Sequence, residues 1–95
     1  MSKGKTYQNV WDALEHDPIE RASLKMRSNL MVALEQTIER WKVTQKEAAA
    51  RLGISQPRLN DLLKGRIGKF SLDALVDLAA RAGLRVSVNI KRHAA

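Results

Sequence analysis

Leu30, Leu34, Ile38 and Trp41 recur every three or four residues with Met31 and Ala33 beside them, the spacing of one apolar face on a long helix. Its start is written in Asp17-Pro18-Ile19-Glu20. Asp17 suits the N-cap, Pro18 the first helical position, where an N–H would find no partner, and Glu20 a capping box. Upstream, Val10, Trp11 and Leu14 in VWDALE predict one or two helical turns docked on the body, and residues 1–8 a flexible N-terminal tail.

Thr44-Gln45-Lys46-Glu47 predicts a second capping box, with the Thr44 hydroxyl accepting the N3 amide and Glu47 reaching back to the N-cap amide. The short helix that follows runs through Ala48, Ala49, Ala50 and Leu52 to Gly53, where a left-handed turn carries no steric penalty. Ser55 caps the next helix, Gln56 to Lys64, whose Pro57 lies in the harmless first turn and which stops at Gly65; Leu59, Leu62 and Leu63 face inward. Arg66 to Phe70 reads as a basic loop. Ser71 caps a further helix with Leu72, Leu75, Leu78, Ala79 and Ala82 as its buried stripe, ended by Gly83.

The rhythm then changes. Leu84, Val86, Val88 and Ile90 alternate with Arg85, Ser87, Asn89 and Lys91, the period of a half-buried strand over about 84–90. A lone strand needs ladder partners, and no other segment alternates convincingly. The same strand of a second copy, antiparallel about a two-fold axis, would supply them and make a homodimer; pairing with extended N-terminal residues of the same chain is the alternative.

A chain of 95 residues holds one small domain, read here as residues 9–95, which excludes two-domain cofactor-binding architectures. The absence of cysteine excludes a disulfide scaffold and a thiolate metal cluster and fits a reducing compartment. The longest apolar run, Leu30 to Leu34, is far too short for a membrane span, and MSKGKTYQN carries no signal-peptide stretch. A cytoplasmic protein with no membrane association is expected.

Charge adds a direction. Residues 1–40 hold six basic and six acidic side chains, whereas residues 41–95 hold eleven basic and four acidic, so the entire net charge of +7 lies in the C-terminal part. That asymmetry, with a pI near 10.3, asks for a localised anion-binding surface, with a generally solubilising basic surface as the alternative. Two short capped helices joined through Gly53-Ile54-Ser55, with Ala49 small enough for close approach, meet the needs of a helix-turn-helix over about 44–65.

The segment TQKEAAARLGISQPRLNDLLKGR resembles the DNA-binding core of the XRE (Cro/repressor-like) helix-turn-helix regulators, in which a Thr-Gln pair opens the first motif helix and Ser-Gln the recognition helix. NVWDALE, RSNLMVAL and GRIGKFSLDALVDLAARAGLRVSV together resemble a subgroup of small XRE-type proteins similar to HigA-type antitoxins, and the likeness covers roughly residues 9–90. It implies a mainly α, lambda-repressor-like helix-turn-helix bundle of about five helices, with a C-terminal β-strand that pairs in a homodimer. Phage repressors have a shorter first helix and a last helix in place of that strand, so their dimer geometry does not transfer.

The resemblance places the helix opened by Ser55 in the major groove, with Gln56, Pro57, Arg58, Asn60 and Asp61 as base-reading candidates. A glutamine amide matches adenine and an arginine fork matches guanine. Asp61 has two readings, acceptance from a cytosine amine or pairing with Arg58 or Lys64 to orient them. Gln45 resembles the family glutamine that binds phosphate at a helix N-terminus, and Ser55, Lys64, Arg66 and Lys69 are further phosphate candidates. Arg51, Arg81, Arg85, Lys91 and Arg92 read as solvated charge.

The partners implied are double-stranded DNA with a palindromic operator, a second copy, and, through the antitoxin likeness, a RelE/HigB-like ribonuclease toxin, with autorepression of the shared operon. A stand-alone XRE-type repressor with no toxin partner is the alternative. Tyr7, Val10, Trp11 and Leu14 would offer the toxin surface, unless Trp11 and Leu14 simply finish the core. An enzyme is disfavoured: His16 and His93 sit near opposite ends, no helical His–Glu pair is spaced for a metal, and no cofactor motif occurs. RNA reading by stacked aromatics is disfavoured because Tyr7, Trp11, Trp41 and Phe70 look like core or anchor residues.

Overall fold

The computed structural model describes residues 17–92. Over that span the chain forms α1 (Pro18–Trp41), α2 (Gln45–Leu52), α3 (Gln56–Leu63) and α4 (Leu72–Arg81), with a 3-10 turn at Ile67–Lys69 between α3 and α4. The expected VWDALE helix and the N-terminal tail lie outside the described residues.

Each helix starts where a side-chain acceptor meets orphan amides. The Asp17 carboxylate accepts from the Ile19 and Glu20 N–H groups at 3.1 and 3.2 Å. Thr44, Ser55 and Ser71 each accept the amide three residues on, at 3.1, 3.2 and 3.1 Å. The Glu47 carboxylate takes a different partner from the capping-box expectation. It pairs with Arg51 one turn ahead at 3.3 Å, where a charge-assisted contact is on offer.

The stops follow the same local logic with one exception. Gly53, Gly65 and Gly83 take positive φ, but α1 ends on Lys42 at φ 54, a left-handed conformation that a lysine adopts only with Cβ crowding. After α3 and α4 the chain closes in the 6→1 manner, with Arg66 N–H donating to Asp61 C=O at 3.0 Å and Leu84 N–H to Ala79 C=O at 2.9 Å.

The core is one apolar cluster fed by every element. Leu34, Ala48, Leu52, Leu59, Leu62, Leu75 and Ala79 are sealed from solvent, and Met31, Ile38, Ala49, Phe70 and Leu78 nearly so. α1 runs beside α4, so Leu24, Met31, Leu34 and Ile38 form its buried face, while Leu30 and Trp41 pack at the margin.

Glu35 on α1 lies partly out of water, and that desolvation raises its carboxyl pKa above the ordinary value. A raised folded-state pKa means that the folded protein holds the proton more tightly than the unfolded chain. The associated stability is therefore complete below the unfolded pKa and is lost as pH rises through the folded one. Glu35→Gln should be more stable than the native protein at neutral pH, with the difference shrinking on acidification; paired thermal melts across that range check this, and an offset independent of pH would contradict it.

The tail departs most from expectation. No strand occurs among the described residues, and 84–92 run without regular hydrogen bonding. Leu84, expected in the dimer strand, instead packs on the chain's own core while its N–H closes α4. Val86, Val88 and Ile90 become progressively more exposed, at 38%, 66% and 87%. The physical reason is that an alternating segment forms a ladder only against another extended segment, and among the described residues every regular element is helical.

Candidate nucleic-acid interface

The helix-turn-helix is held by close packing at its crossing. Ala48 and Ala49 of α2 are buried with Leu52 and with Leu59 and Leu62 of α3, and the small alanine side chains let the two backbones approach. Between them Gly53 sits at φ 70, donating its N–H to Ala50 C=O while Ile54 N–H reaches Ala49 C=O. A Cβ at Gly53 would run into the guanidinium of Arg81. That arginine, read as solvated charge, crosses the turn to donate to Leu52 C=O at 3.3 Å while pairing with Asp77 at 3.0 Å. It satisfies a carbonyl that the end of α2 leaves free and ties α4 to the turn. Arg51 is also engaged, with its guanidinium 5.0 Å from the centre of the Trp41 ring.

With α3 so fixed, its polar residues fall into two groups. Ser55, Gln56 and Pro57 are exposed at its N-terminal end, and Lys64 is exposed at its far end. Arg58, Asn60 and Asp61 are half-buried. The Ser55 hydroxyl accepts the Arg58 amide, which leaves its own proton free for a phosphate oxygen. Asp61 pairs with Arg66 at 2.8 Å rather than with Arg58 or Lys64, because the turn after α3 carries Arg66 back over the last helical turn. That pairing engages Oδ1 of the Asp61 carboxylate and sets an anion beside Arg66.

Arg58 is more constrained than its position in the sequence implies. Its Nη1 donates to Lys69 C=O at 2.7 Å, and its guanidinium lies over the Phe70 ring at 4.0 Å from the centroid. The loop is also gripped by Arg27 of α1, which donates through Nη1 to the Ile67 and Phe70 carbonyls, both at 3.3 Å. Arg27 is a residue that sequence pattern did not single out, since its partners lie 40 and 43 residues away.

Gln45 is exposed at the first position of α2, next to Lys46, also exposed and also missed. Thr44 takes the Glu47 amide, and a helix start leaves the Gln45 and Lys46 amides without intrahelical partners, so this end of α2 presents N–H groups and a partial positive charge. Lys64 and the Lys69 side chain are exposed near the end of α3 and in the loop beyond it.

Two short helices crossing on alanines, an exposed Ser-Gln start to the second, and cations around its far end define a helix-turn-helix. A family model described as a helix-turn-helix domain matches residues 15–91, and the chain belongs to that family. A solved structure assigned to the XRE family of transcriptional regulators is similar to it, with a TM-score of 0.69 and 31% identity over 75% of this chain and 80% of that one. None of the curated proteins matches the chain. No helix among the described residues is long and apolar enough to cross a membrane.

Proposed function

We propose that this protein is a sequence-specific, double-stranded-DNA-binding transcriptional regulator of the XRE type. The carrying observation is the placement of α3, whose apolar side is sealed in the core while Ser55, Gln56 and Pro57 stand exposed at its leading end. In this reading α3 lies in the major groove, Gln56, Arg58 and Asn60 read base edges, and Pro57 packs against them. Asp61 acts by holding Arg66. Gln45 at the start of α2, with Ser55, Lys64, Arg66 and Lys69, contacts phosphates and sets affinity rather than sequence.

The operator is a palindrome read by a homodimer, with half-sites about 34–36 Å apart if both recognition helices meet one duplex face. Val86, Val88 and Ile90 form the pairing edge between copies; they are exposed, alternate with polar residues, and have no ladder among the described residues. Leu84 is left out of that edge because it belongs to the monomer core.

The likeness to HigA-type antitoxins extends the proposal to a regulator that binds a RelE/HigB-like toxin and represses its own operon. Ile19 and Met26, seven residues apart on one face of α1, are 81% and 40% exposed and provide apolar surface that the described core does not use. A stand-alone repressor would share every DNA contact and lack only the toxin.

A gel-shift with duplex from the protein's own promoter tests the proposal. Specific retention is expected, and for a dimer making about ten phosphate contacts the logarithm of affinity should fall against the logarithm of salt with a slope near −9. Binding no tighter than to unrelated duplex would refute it. The triple variant Val86, Val88 and Ile90→Ser should sediment as a monomer and bind a single half-site; an unchanged dimer would refute the pairing edge. Co-purification with the product of an adjacent small basic reading frame would support the antitoxin extension, and its failure would leave the stand-alone repressor.

A further inference from the structure

We propose that Phe70, a core residue outside the helix-turn-helix, sets the base preference of α3 by holding Arg58 with one edge of its guanidinium turned to the base. The inference rests on the reading of α3 as the recognition helix and adds a positioning residue to it.

Three observations combine. Phe70 is 2% exposed, so its ring is fixed by the core rather than free to follow a surface side chain. The Arg58 guanidinium lies over that ring at 4.0 Å from its centroid and donates through Nη1 to Lys69 C=O at 2.7 Å, so the group is held at two points. The carbonyls of Ile67 and Phe70 are in turn held by Arg27 from α1, which anchors the backbone that receives Arg58.

A guanidinium has five N–H donors in one plane. Stacking on Phe70 uses a face and Lys69 C=O uses one donor on Nη1, which leaves the Nε–H and Nη2 edge, itself a two-donor fork of the kind that meets guanine O6 and N7. Arginine on an aromatic face keeps its hydrogen-bonding edge while losing rotamer freedom, so the conformational cost of presenting the fork falls in folding rather than in binding. The loop from Arg66 to Phe70 thus does two things: its cations meet phosphates, and its last residue aims a base reader.

The test is selection from a pool of randomised duplexes by native protein, Arg58→Ala, Phe70→Leu and Phe70→Tyr, with the salt dependence of each measured on the selected duplex. Arg58→Ala identifies the base pair that Arg58 reads. Phe70→Leu is expected to weaken preference at that pair by roughly 2- to 30-fold, the range of a cation–π contact, with preference elsewhere and the salt slope unchanged; Phe70→Tyr, which keeps the ring face, should restore it. Full preference retained in Phe70→Leu, or an equal loss at all positions, would overturn the proposal.

A second measurement needs no variant. In the native free protein the Arg58 δ protons should resonate upfield of ordinary arginine values because of the Phe70 ring current, and unshifted protons would overturn the placement. If the native protein selects no sequence at all, the failure belongs to the DNA-reading proposal. The ring-current measurement still decides whether Phe70 holds Arg58.

Discussion

Leu59→Ala is expected to lose about 2–5 kcal/mol of folding stability, because it empties a fully enclosed site rather than trimming a margin. Leu59 is sealed from solvent in the cluster shared by α2, α3 and α1, and α3 has only two fully buried side chains, Leu59 and Leu62, to hold it there. Domains this small sit toward the low end of the usual 5–15 kcal/mol or so, so the variant should approach the threshold of unfolding near physiological temperature. Urea melts should show a lower midpoint with an unchanged slope. Leu63→Ala, at a half-buried neighbour, should cost distinctly less. Equal costs at the two positions would mean that α3 is rotated from the placement described, and with it every base-reading assignment.

The second large effect separates reading from gripping. Gln56→Ala should remove about 1–3 kcal/mol of discrimination per half-site, and so roughly twice that for a two-fold dimer on a palindrome, while binding to unrelated duplex stays nearly the same. Lys64→Ala should weaken all duplexes about alike and make the salt slope shallower by about 1 per half-site. Both side chains are exposed at opposite ends of one helix, and neither enters the core, so both variants should melt close to the native protein. Competition binding against specific and scrambled duplexes at two salt concentrations resolves the two patterns. The same profile from both variants would remove the distinction between Gln56 as reader and Lys64 as phosphate contact.

Where the helices begin, and where all but α1 end, was readable because the interactions responsible span three to five residues. Asp17, Thr44, Ser55 and Ser71 cap the helices they precede, and Gly53, Gly65 and Gly83 carry the left-handed turns. The apolar stripes were readable for a related reason: a helix that buries one side must repeat its apolar residues at the helical period, as Leu59 with Leu62 and Leu75 with Leu78 do. The strand reading used the same kind of argument and met a different limit. Alternation at Val86, Val88 and Ile90 states what the segment can do with a partner, and no extended partner occurs among the described residues.

The fate of the cations lay mostly beyond pattern, apart from the one-turn pairs of Arg51 with Glu47 and Arg81 with Asp77. Arg27, Arg51, Arg58, Arg66 and Arg81 are alike in composition and charge, yet they meet two loop carbonyls, a Trp ring, a Phe ring with a carbonyl, a carboxylate, and the turn after α2. Long flexible side chains take whichever acceptor the folded backbone brings within reach, and for Arg27 and Arg81 those acceptors are 29 to 43 residues distant. Caps, stops and stripes were therefore fixed by near neighbours along the chain. The aim of Arg58, the reach of Arg27 and Arg81 to distant carbonyls, and the capture of Leu84 by the core were decided only when distant segments came into contact, since hydrogen-bond geometry and enclosure from water do not exist until they do.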